Sequence, residues 1–137
     1  MLTKKESYNV AIVGATGIVG ESLLEILYSR RFPISSIYAV ASKKSKGSKA
    51  KFGDQLLTVE SLDEFNFADI DIAFFSAGSS VSKEYATNAA AQGCVVIDNT
   101  SEFRYEQDIP LVVPEVNPQD IDLYKNKNIL IQIDVLW

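Results

Sequence analysis

The feature that most constrains this chain is a glycine-rich turn near its amino terminus. The sequence Gly14-Ala15-Thr16-Gly17-Ile18-Val19-Gly20 follows the apolar segment from Tyr8 to Gly14 and opens a segment with helical spacing of apolar residues, Gly17 to Arg31. In such a strand–turn–helix unit, the first glycine permits a sharp turn, the second exposes backbone to a pyrophosphate, and the third lets helix and strand pack closely. The turn therefore predicts a dinucleotide site, and glycine-assisted packing alone is the alternative.

The rest of the chain continues the alternation of strand and helix. The patterns predict strands at 8–14, 36–41, 55–60, 71–76 and 95–97, shorter strand-like segments at 111–113 and from 129, and helices at 17–31 and 80–92. Strands that alternate with helices form parallel sheets covered on both faces. The predicted fold is therefore α/β, a doubly wound and mostly parallel sheet of the Rossmann type.

The segment after the second predicted strand indicates which dinucleotide would bind. NAD sites usually place an acidic residue there for the ribose 2′-hydroxyl. This chain instead reads Ser42-Lys43-Lys44-Ser45, with no acidic residue between Arg30 and Asp54. Hydroxyl and ammonium groups would accept a 2′-phosphate, so the sequence favours NADP over NAD, and an ordinary basic loop is the alternative.

The composition excludes several kinds of site and partner. The chain of 137 residues has no histidine and one cysteine, Cys94, which excludes Ser-His-Asp triads, Cys–His pairs and most zinc sites, so no metal is expected. Basic residues concentrate in the first third, and the acidic remainder argues against nucleic acid as a partner. No apolar stretch approaches the roughly 18 residues that span a bilayer. With no signal peptide evident, a cytoplasmic protein without membrane contact is expected.

Three further segments are distinctive. They are Phe74-Phe75-Ser76-Ala77-Gly78-Ser79-Ser80-Val81-Ser82-Lys83-Glu84-Tyr85, Val96-Ile97-Asp98-Asn99-Thr100-Ser101-Glu102-Phe103-Arg104 and Ile109-Pro110-Leu111-Val112-Val113-Pro114-Glu115-Val116-Asn117. Together with the glycine-rich turn, they resemble the aspartate-semialdehyde dehydrogenase family over about residues 8 to 130. The resemblance implies reduction of β-aspartyl phosphate with NADPH to aspartate semialdehyde and phosphate, on the route to lysine, threonine and methionine. It also implies a small-molecule substrate and a homodimer.

The resemblance assigns roles to particular residues. The implied cofactor contacts are Gly14, Thr16, Gly17, Ile18 and Val19 around the pyrophosphate, Ser42, Lys44 and Ser45 on the 2′-phosphate, and Ser76, Ala77 and Gly78 further along the sheet edge. Arg104, helped by Asn99, is implied to bind the substrate phosphate, and a planar guanidinium suits bidentate phosphate recognition. The alternative for Arg104 is a surface ion pair with Glu102, Glu106 or Asp108.

The carboxyl-terminal residues depart from the family pattern. Family members carry a nucleophilic cysteine a few residues after the position of Asn128-Ile129-Leu130, whereas this chain continues Ile131-Gln132-Ile133-Asp134-Val135-Leu136-Trp137. We therefore expect an NADP-binding domain at 1–128, an aberrant or truncated strand at 129–137 beside an open sheet edge, and no second domain.

The same departure bears on activity. Cys94 is expected to be a small buried core residue, so no catalytic residue is assigned and the chain alone is predicted to be inactive. Two alternatives remain open. One is a fragment related to acetylglutamyl-phosphate reductase, and the other is a stand-alone NADP-binding or interaction module.

Overall fold

The central sheet has seven strands in the described part of the chain, and all of them are parallel. The computed structural model describes residues 2 and 4–132. The strands of this sheet are β1 (Tyr8–Val13), β2 (Ile34–Ala41), β5 (Glu60–Ser61), β6 (Ile72–Phe75), β7 (Val95–Asp98), β8 (Leu111–Val112) and β9 (Ile129–Gln132). Across the sheet, the strands lie in the order β5-β2-β1-β6-β7-β9-β8. The described part also has two α-helices, α1 (Ile18–Ser29) and α2 (Ser79–Ala91), and an antiparallel hairpin of β3 (Lys49–Phe52) and β4 (Gln55–Thr58). Short 3₁₀ segments lie at Lys43–Ser45, Leu62–Glu64 and Pro118–Asn126.

The two faces of the sheet bury separate apolar clusters. On β1, Val10 and Ile12 pack toward α1 and the hairpin, whereas Ala11 and Val13 belong to the cluster beneath α2. This alternation follows from the two-residue period of a strand, and it requires a strand that is apolar on both sides. The predicted doubly wound α/β fold is confirmed, with α1 and α2 on opposite faces of one sheet.

The helices begin and end close to the predicted positions. In α1, Leu24 and Leu27 are buried on one face, and Gly20 lies in the first turn against the sheet. In α2, the buried residues are small, so the helix can approach the sheet closely; they include Ala86, Ala89 and Ala90. Gly93 follows α2 with φ +97°, the left-handed conformation that glycine adopts after a helix end.

The segment predicted as a strand at 55–60 is extended, but most of it does not belong to the central sheet. The segment forms the second arm of a hairpin that packs on α1, and only Glu60–Ser61 joins the parallel sheet. The first arm, Lys49–Phe52, lies in a segment for which the sequence predicted no strand. Gly53 makes the hairpin turn at φ +61°, and the ring of Tyr28 covers it so closely that a Cβ at Gly53 would lie 2.1 Å from that ring.

The last described strand does not lie beside an open edge, contrary to expectation. β9 lies between β7 and β8, and Ile129 and Ile131 are buried in the cluster beneath α2. The chain reaches this place through a 3₁₀ segment, Pro118–Asn126, which returns from β8 and inserts β9 inside the sheet. The other expectations for 133–137 lie outside the described residues. Among the residues that are described, no helix is long and apolar enough to cross a membrane.

Candidate cofactor and phosphate site

Four of the predicted site segments meet along one edge of the sheet. Each follows the carboxyl end of one of four neighbouring parallel strands, which lie in the order β2, β1, β6 and β7. In that order, the segments are Ser42–Ser45, Gly14–Val19, Ser76–Gly78 and Asn99–Arg104. The chain winds outward in opposite directions from β1 and β6, so the glycine-rich turn occupies the switch point where doubly wound sheets bind ligands.

Gly14 lies at the switch point, at a position where no side chain fits. Its φ is +94°, and a Cβ there would lie 2.9 Å from both the carbonyl carbon and Oγ of Ser76. The amide of Gly14 donates to the carbonyl oxygen of Val40 (2.8 Å). The amide of Ser76 donates to the carbonyl oxygen of Val13 (2.9 Å). The turns after β1 and β6 are therefore held together by backbone contacts.

Gly17 is the exposed glycine of the turn. It is the N-cap of α1, no side chain caps the helix, and a Cβ at Gly17 would have only the carbonyl oxygen of Gly14 nearby, at 3.5 Å. The first N–H groups of a helix have no acceptor within it. Those of Ile18, Val19 and Gly20 can therefore receive an anion at the positive end of the helix dipole. Thr16 and Ile18 are exposed beside this backbone.

The Ser42–Ser45 segment is a compact turn rather than an extended loop. Lys43–Ser45 form a single 3₁₀ turn, closed by the Ser45 amide on the Ser42 carbonyl oxygen (2.9 Å). The ion pairs among the described residues use other lysines. Lys46 Nζ lies 2.6 Å from a carboxylate oxygen of Glu64, whose hydrogen bond and charge raise the pKa of Lys46. The exposed ammonium of Lys44 is therefore available to a ligand.

The loop after β7 contacts the start of α2 through Ser101 and carries Arg104. Ser101 Oγ lies 3.1 Å from Ser79 Oγ, and the Arg104 amide donates to the Ser101 carbonyl oxygen (3.3 Å). Arg104 is exposed and takes part in neither of the two ion pairs among the described residues, so the predicted alternative of a surface ion pair is not observed. The side-chain amide of Asn99 donates a hydrogen bond to the carbonyl oxygen of Gln132 (3.4 Å).

A buried carboxyl group, which no sequence motif singled out, lies behind this loop. Asp98, the last residue of β7, has no solvent exposure, and its Oδ1 accepts from Ser82 Oγ (3.1 Å) and the Thr100 amide (2.8 Å). Its Oδ2 has no hydrogen-bond partner among the described residues. Burial raises the pKa of Asp98 above its usual range, and the donors on Oδ1 offset this only in part. An acidic residue that ends an apolar strand was the available sequence signal.

An apolar cavity of about 220 Å³ lies beside the Gly-rich turn on the α1 face of the sheet. Val19 and Leu23 of α1 line one side, and a row across three strands, Phe74, Ile97 and Leu130, forms the floor. Asn99 also lines the cavity. Of these residues, only Val19 and Asn99 were predicted site residues, because the row becomes visible only once β6, β7 and β9 are placed side by side.

Cys94 lies at the far end of the sheet from this site. It precedes β7, has no solvent exposure, and its amide donates to the Ala89 carbonyl oxygen (3.3 Å). Burial, with a smaller effect from the charge of Asp71, raises the pKa of the Cys94 thiol to about 12. Asp98 lies four residues further along the strand, about 13 Å away at the usual rise. The prediction of a buried core cysteine is confirmed.

Comparison with known proteins identifies the family. Residues 9–124 match the family described as "Semialdehyde dehydrogenase, NAD binding domain". The chain belongs to this family. Its cofactor class is accordingly a pyridine nucleotide. The aspartate-semialdehyde dehydrogenase of Rickettsia typhi is 52% identical over 129 residues, and that of Legionella pneumophila is 62% identical over 106 residues. These segments are 94% and 77% of this chain.

Solved structures agree with the sequence relatives. The aspartate semialdehyde dehydrogenase II of Vibrio cholerae complexed with ASA matches 93% of this chain and 42% of its own, with a TM-score of 0.89 and 48% identity. The Candida albicans enzyme with NADP matches 91% of this chain and 42% of its own, with a TM-score of 0.74 and 27% identity. These relatives do not favour the acetylglutamyl-phosphate reductase alternative. The chain spans 38% of the Rickettsia typhi protein and 30% of the Legionella pneumophila protein.

Proposed function

We propose that this chain is the NADP-binding part of an aspartate-semialdehyde dehydrogenase. The observation that carries the proposal is the uncapped start of α1, where Gly17 leaves bare backbone at the switch point of the sheet. A pyrophosphate fits this place because N–H groups face it and no side chain occupies it. Thr16, Ile18 and Val19 would border the pyrophosphate, and Ser76, Ala77 and Gly78, at the end of the neighbouring strand β6, would contact the cofactor further along the edge.

The preference for NADP rests on the turn after β2. Ser42 and Ser45 supply hydroxyl groups, and Lys44 supplies a charge that no described carboxylate pairs with. A 2′-phosphate would gain charge-assisted hydrogen bonds from these groups. A ribose 2′-hydroxyl would find no carboxylate among residues 42–45 to accept its hydrogen bond.

For the longer protein, we propose the reduction of β-aspartyl phosphate to aspartate semialdehyde, with release of phosphate. Arg104 would bind the phosphate group of the substrate through its guanidinium, and Asn99 would donate from its amide at the same strand end. Hydride transfer is the chemistry that the cofactor supplies when it is bound. With Cys94 buried at the opposite end of β7, no nucleophile is proposed among the described residues.

We propose that residues 1–128, together with β9, form the NADP-binding domain. We further propose that the longer protein assembles as a homodimer and is located in the cytoplasm. The β9 residues Ile129 and Ile131 complete the core of the same sheet, so the segment after residue 128 contributes to the domain's packing.

Calorimetric titration of the 137-residue chain with NADP and with NAD tests the cofactor assignment. We expect tighter binding of NADP, and we expect Lys44→Ala to weaken NADP about tenfold or more, since a charged hydrogen bond contributes about 1.5–3 kcal/mol. Binding of NAD should not change in this variant. Lys83→Ala is the matched control, because Lys83 is exposed on α2 and lies outside the site. Equal binding of both nucleotides would overturn the assignment of NADP.

A further inference from the structure

Behind the loop that carries Arg104 lies a polar cluster that the proposed cofactor and phosphate contacts do not use. It consists of Asp98, Ser82 and Thr100, and it joins the end of β7, the second turn of α2 and the start of the loop. Asp98 and Ser82 are both fully buried in an otherwise apolar region. Polar groups buried in this way are costly unless they are hydrogen-bonded, so the arrangement calls for an explanation.

The hydrogen bonds of the cluster connect α2, the end of β7 and the start of the loop. Asp98 Oδ1 accepts from the Thr100 amide (2.8 Å) and from Ser82 Oγ (3.1 Å), and Thr100 Oγ1 donates to Ser82 Oγ (3.3 Å). Thr100 Oγ1 in turn accepts from the Glu102 amide (3.3 Å). Asp98 Oδ1 thus binds the Thr100 amide directly. The Thr100 hydroxyl, which accepts from the Glu102 amide, connects the loop to Ser82 of α2.

The loop is anchored again just before Arg104. Phe103 is buried in the apolar cluster beneath α2, and the Arg104 amide closes a turn on the Ser101 carbonyl oxygen (3.3 Å). The backbone from 98 to 103 is therefore held at both ends, while the guanidinium group that follows is exposed. A long, flexible side chain loses less freedom on binding an anion when the backbone beneath it is already ordered.

We propose that Asp98 and Ser82 are positioning residues, which act through Thr100 to hold the loop so that Arg104 faces a phosphate group. The proposal rests on the function assigned above to Arg104, and it adds two residues that touch neither cofactor nor substrate. It explains why a carboxyl group is kept in a buried place where Oδ2 has no partner among the described residues. The oxygen that is used, Oδ1, is the one that reaches the loop.

Nuclear magnetic resonance of the isotopically labelled 137-residue chain tests this proposal. Two quantities are measured: hydrogen exchange at the amides of Thr100, Glu102 and Arg104, and the shift of the Arg104 side-chain N–H on titration with inorganic phosphate. Ser82→Ala removes the hydroxyl, and Ser80→Ala is its control on the exposed side of the same helix. Asp98→Val removes the acceptor oxygen, whereas Asp98→Asn keeps one.

We expect Ser82→Ala and Asp98→Val to accelerate exchange at the three loop amides about tenfold, the equivalent of one hydrogen bond of about 1.4 kcal/mol. Exchange at Val10 and Ile12 in β1 should not change, which separates a local effect from general loss of stability. The same two variants should weaken the phosphate response of Arg104 at least threefold, and Asp98→Asn and Ser80→Ala should resemble the unsubstituted chain.

Two results would overturn the positioning role. One is unchanged exchange at the loop amides in Ser82→Ala and Asp98→Val. The other is faster exchange at these amides with an unaltered phosphate response at Arg104. Failure of Arg104 to respond to phosphate in the unsubstituted chain would instead remove the phosphate assignment of the proposed function, and loop exchange alone would then decide whether Asp98 and Ser82 hold the loop.

Discussion

A Cβ atom at Gly20 would lie 2.1 Å from the carbonyl oxygen of Gly14. The first turn of α1 thus packs directly on the backbone of the glycine-rich turn, with no room for even a methyl group. The neighbouring atoms are backbone, including Cα of Ala15 at 2.8 Å, so they cannot move aside as the end of a flexible side chain would. This contact sets where α1 begins, and with it the direction of the helix N–H groups at the proposed pyrophosphate site.

Gly20→Ala should therefore destabilise the protein. We expect the free energy of unfolding to fall by about 2 kcal/mol or more, because the added methyl group forces α1 away from the turn. Urea denaturation followed by circular dichroism measures the change. Gly17→Ala is the matched control, since its φ is −85° and the added atom finds only one neighbour, at 3.5 Å; a loss of no more than about 1 kcal/mol is expected there. Equal losses in the two variants would contradict this account of the packing.

Gly17→Leu should separate binding from folding. The backbone at Gly17 suits any residue, and its surroundings are open, so the variant should fold and unfold nearly as the unsubstituted chain does. Its side chain would occupy the space assigned to the pyrophosphate, and we expect at least tenfold weaker NADP binding, about 1.4 kcal/mol, by calorimetry. Unchanged affinity would show that the pyrophosphate lies elsewhere.

The glycine positions and the alternation of strands with helices were enough to predict the fold, and the predicted site segments do lie along one edge of the sheet. Gly14 and Gly20 have the sharp turn and close packing that their spacing indicated, because these properties depend on local backbone geometry. The helix bounds were predicted to within two residues at each end, since Pro33 and Gly93 mark the ends of α1 and α2.

Three features were missed, and two of them depend on contacts between distant segments. The hairpin arm Lys49–Phe52 alternates charged and apolar residues, a strand signal that the surrounding lysine and serine residues obscured. The insertion of β9 between β7 and β8 depends on a chain reversal that no local pattern encodes. Asp98 and Ser82 are 16 residues apart, and their hydrogen bond exists only because α2 packs on β7.

The buried carboxyl group of Asp98 should make stability depend on pH. Its pKa is raised in the folded state, so the folded chain binds this proton more tightly than the unfolded chain, whose pKa is about 3.9. The free energy of unfolding of the unsubstituted chain, minus that of Asp98→Asn, should be largest below about pH 4. This difference should fall as the pH rises through the raised pKa. Urea denaturation of both proteins from pH 3.5 to 8 measures the difference. A difference that does not vary with pH would show that the carboxyl group titrates normally.

Asp71 should give the opposite dependence. Burial favours its neutral form, but the Lys5 ammonium at 2.6 Å and the Asn9 amide at 2.8 Å outweigh this and lower the pKa of Asp71. Relative to Asp71→Asn, the unsubstituted chain should be more stable above pH 4, by about 1 kcal/mol, and should lose this advantage as the pH falls through the lowered pKa. The same denaturation series measures it, and an advantage that grows toward low pH would contradict the contact with Lys5.

Cys94 should be unreactive in the folded chain, and the chain should be inactive. With the thiol pKa raised to about 12, only about one molecule in ten thousand carries a thiolate at pH 8, and the side chain has no solvent exposure. Alkylation by iodoacetamide should therefore be at least about a hundredfold slower than in denaturant.

The purified chain, mixed with aspartate semialdehyde, phosphate and NADP, should show no turnover, because the reaction needs a thiolate and a base near neutral pH, and the sequence contains no histidine. Cys94→Ser is the control, and turnover that disappears in this variant would show that Cys94 is the nucleophile after all.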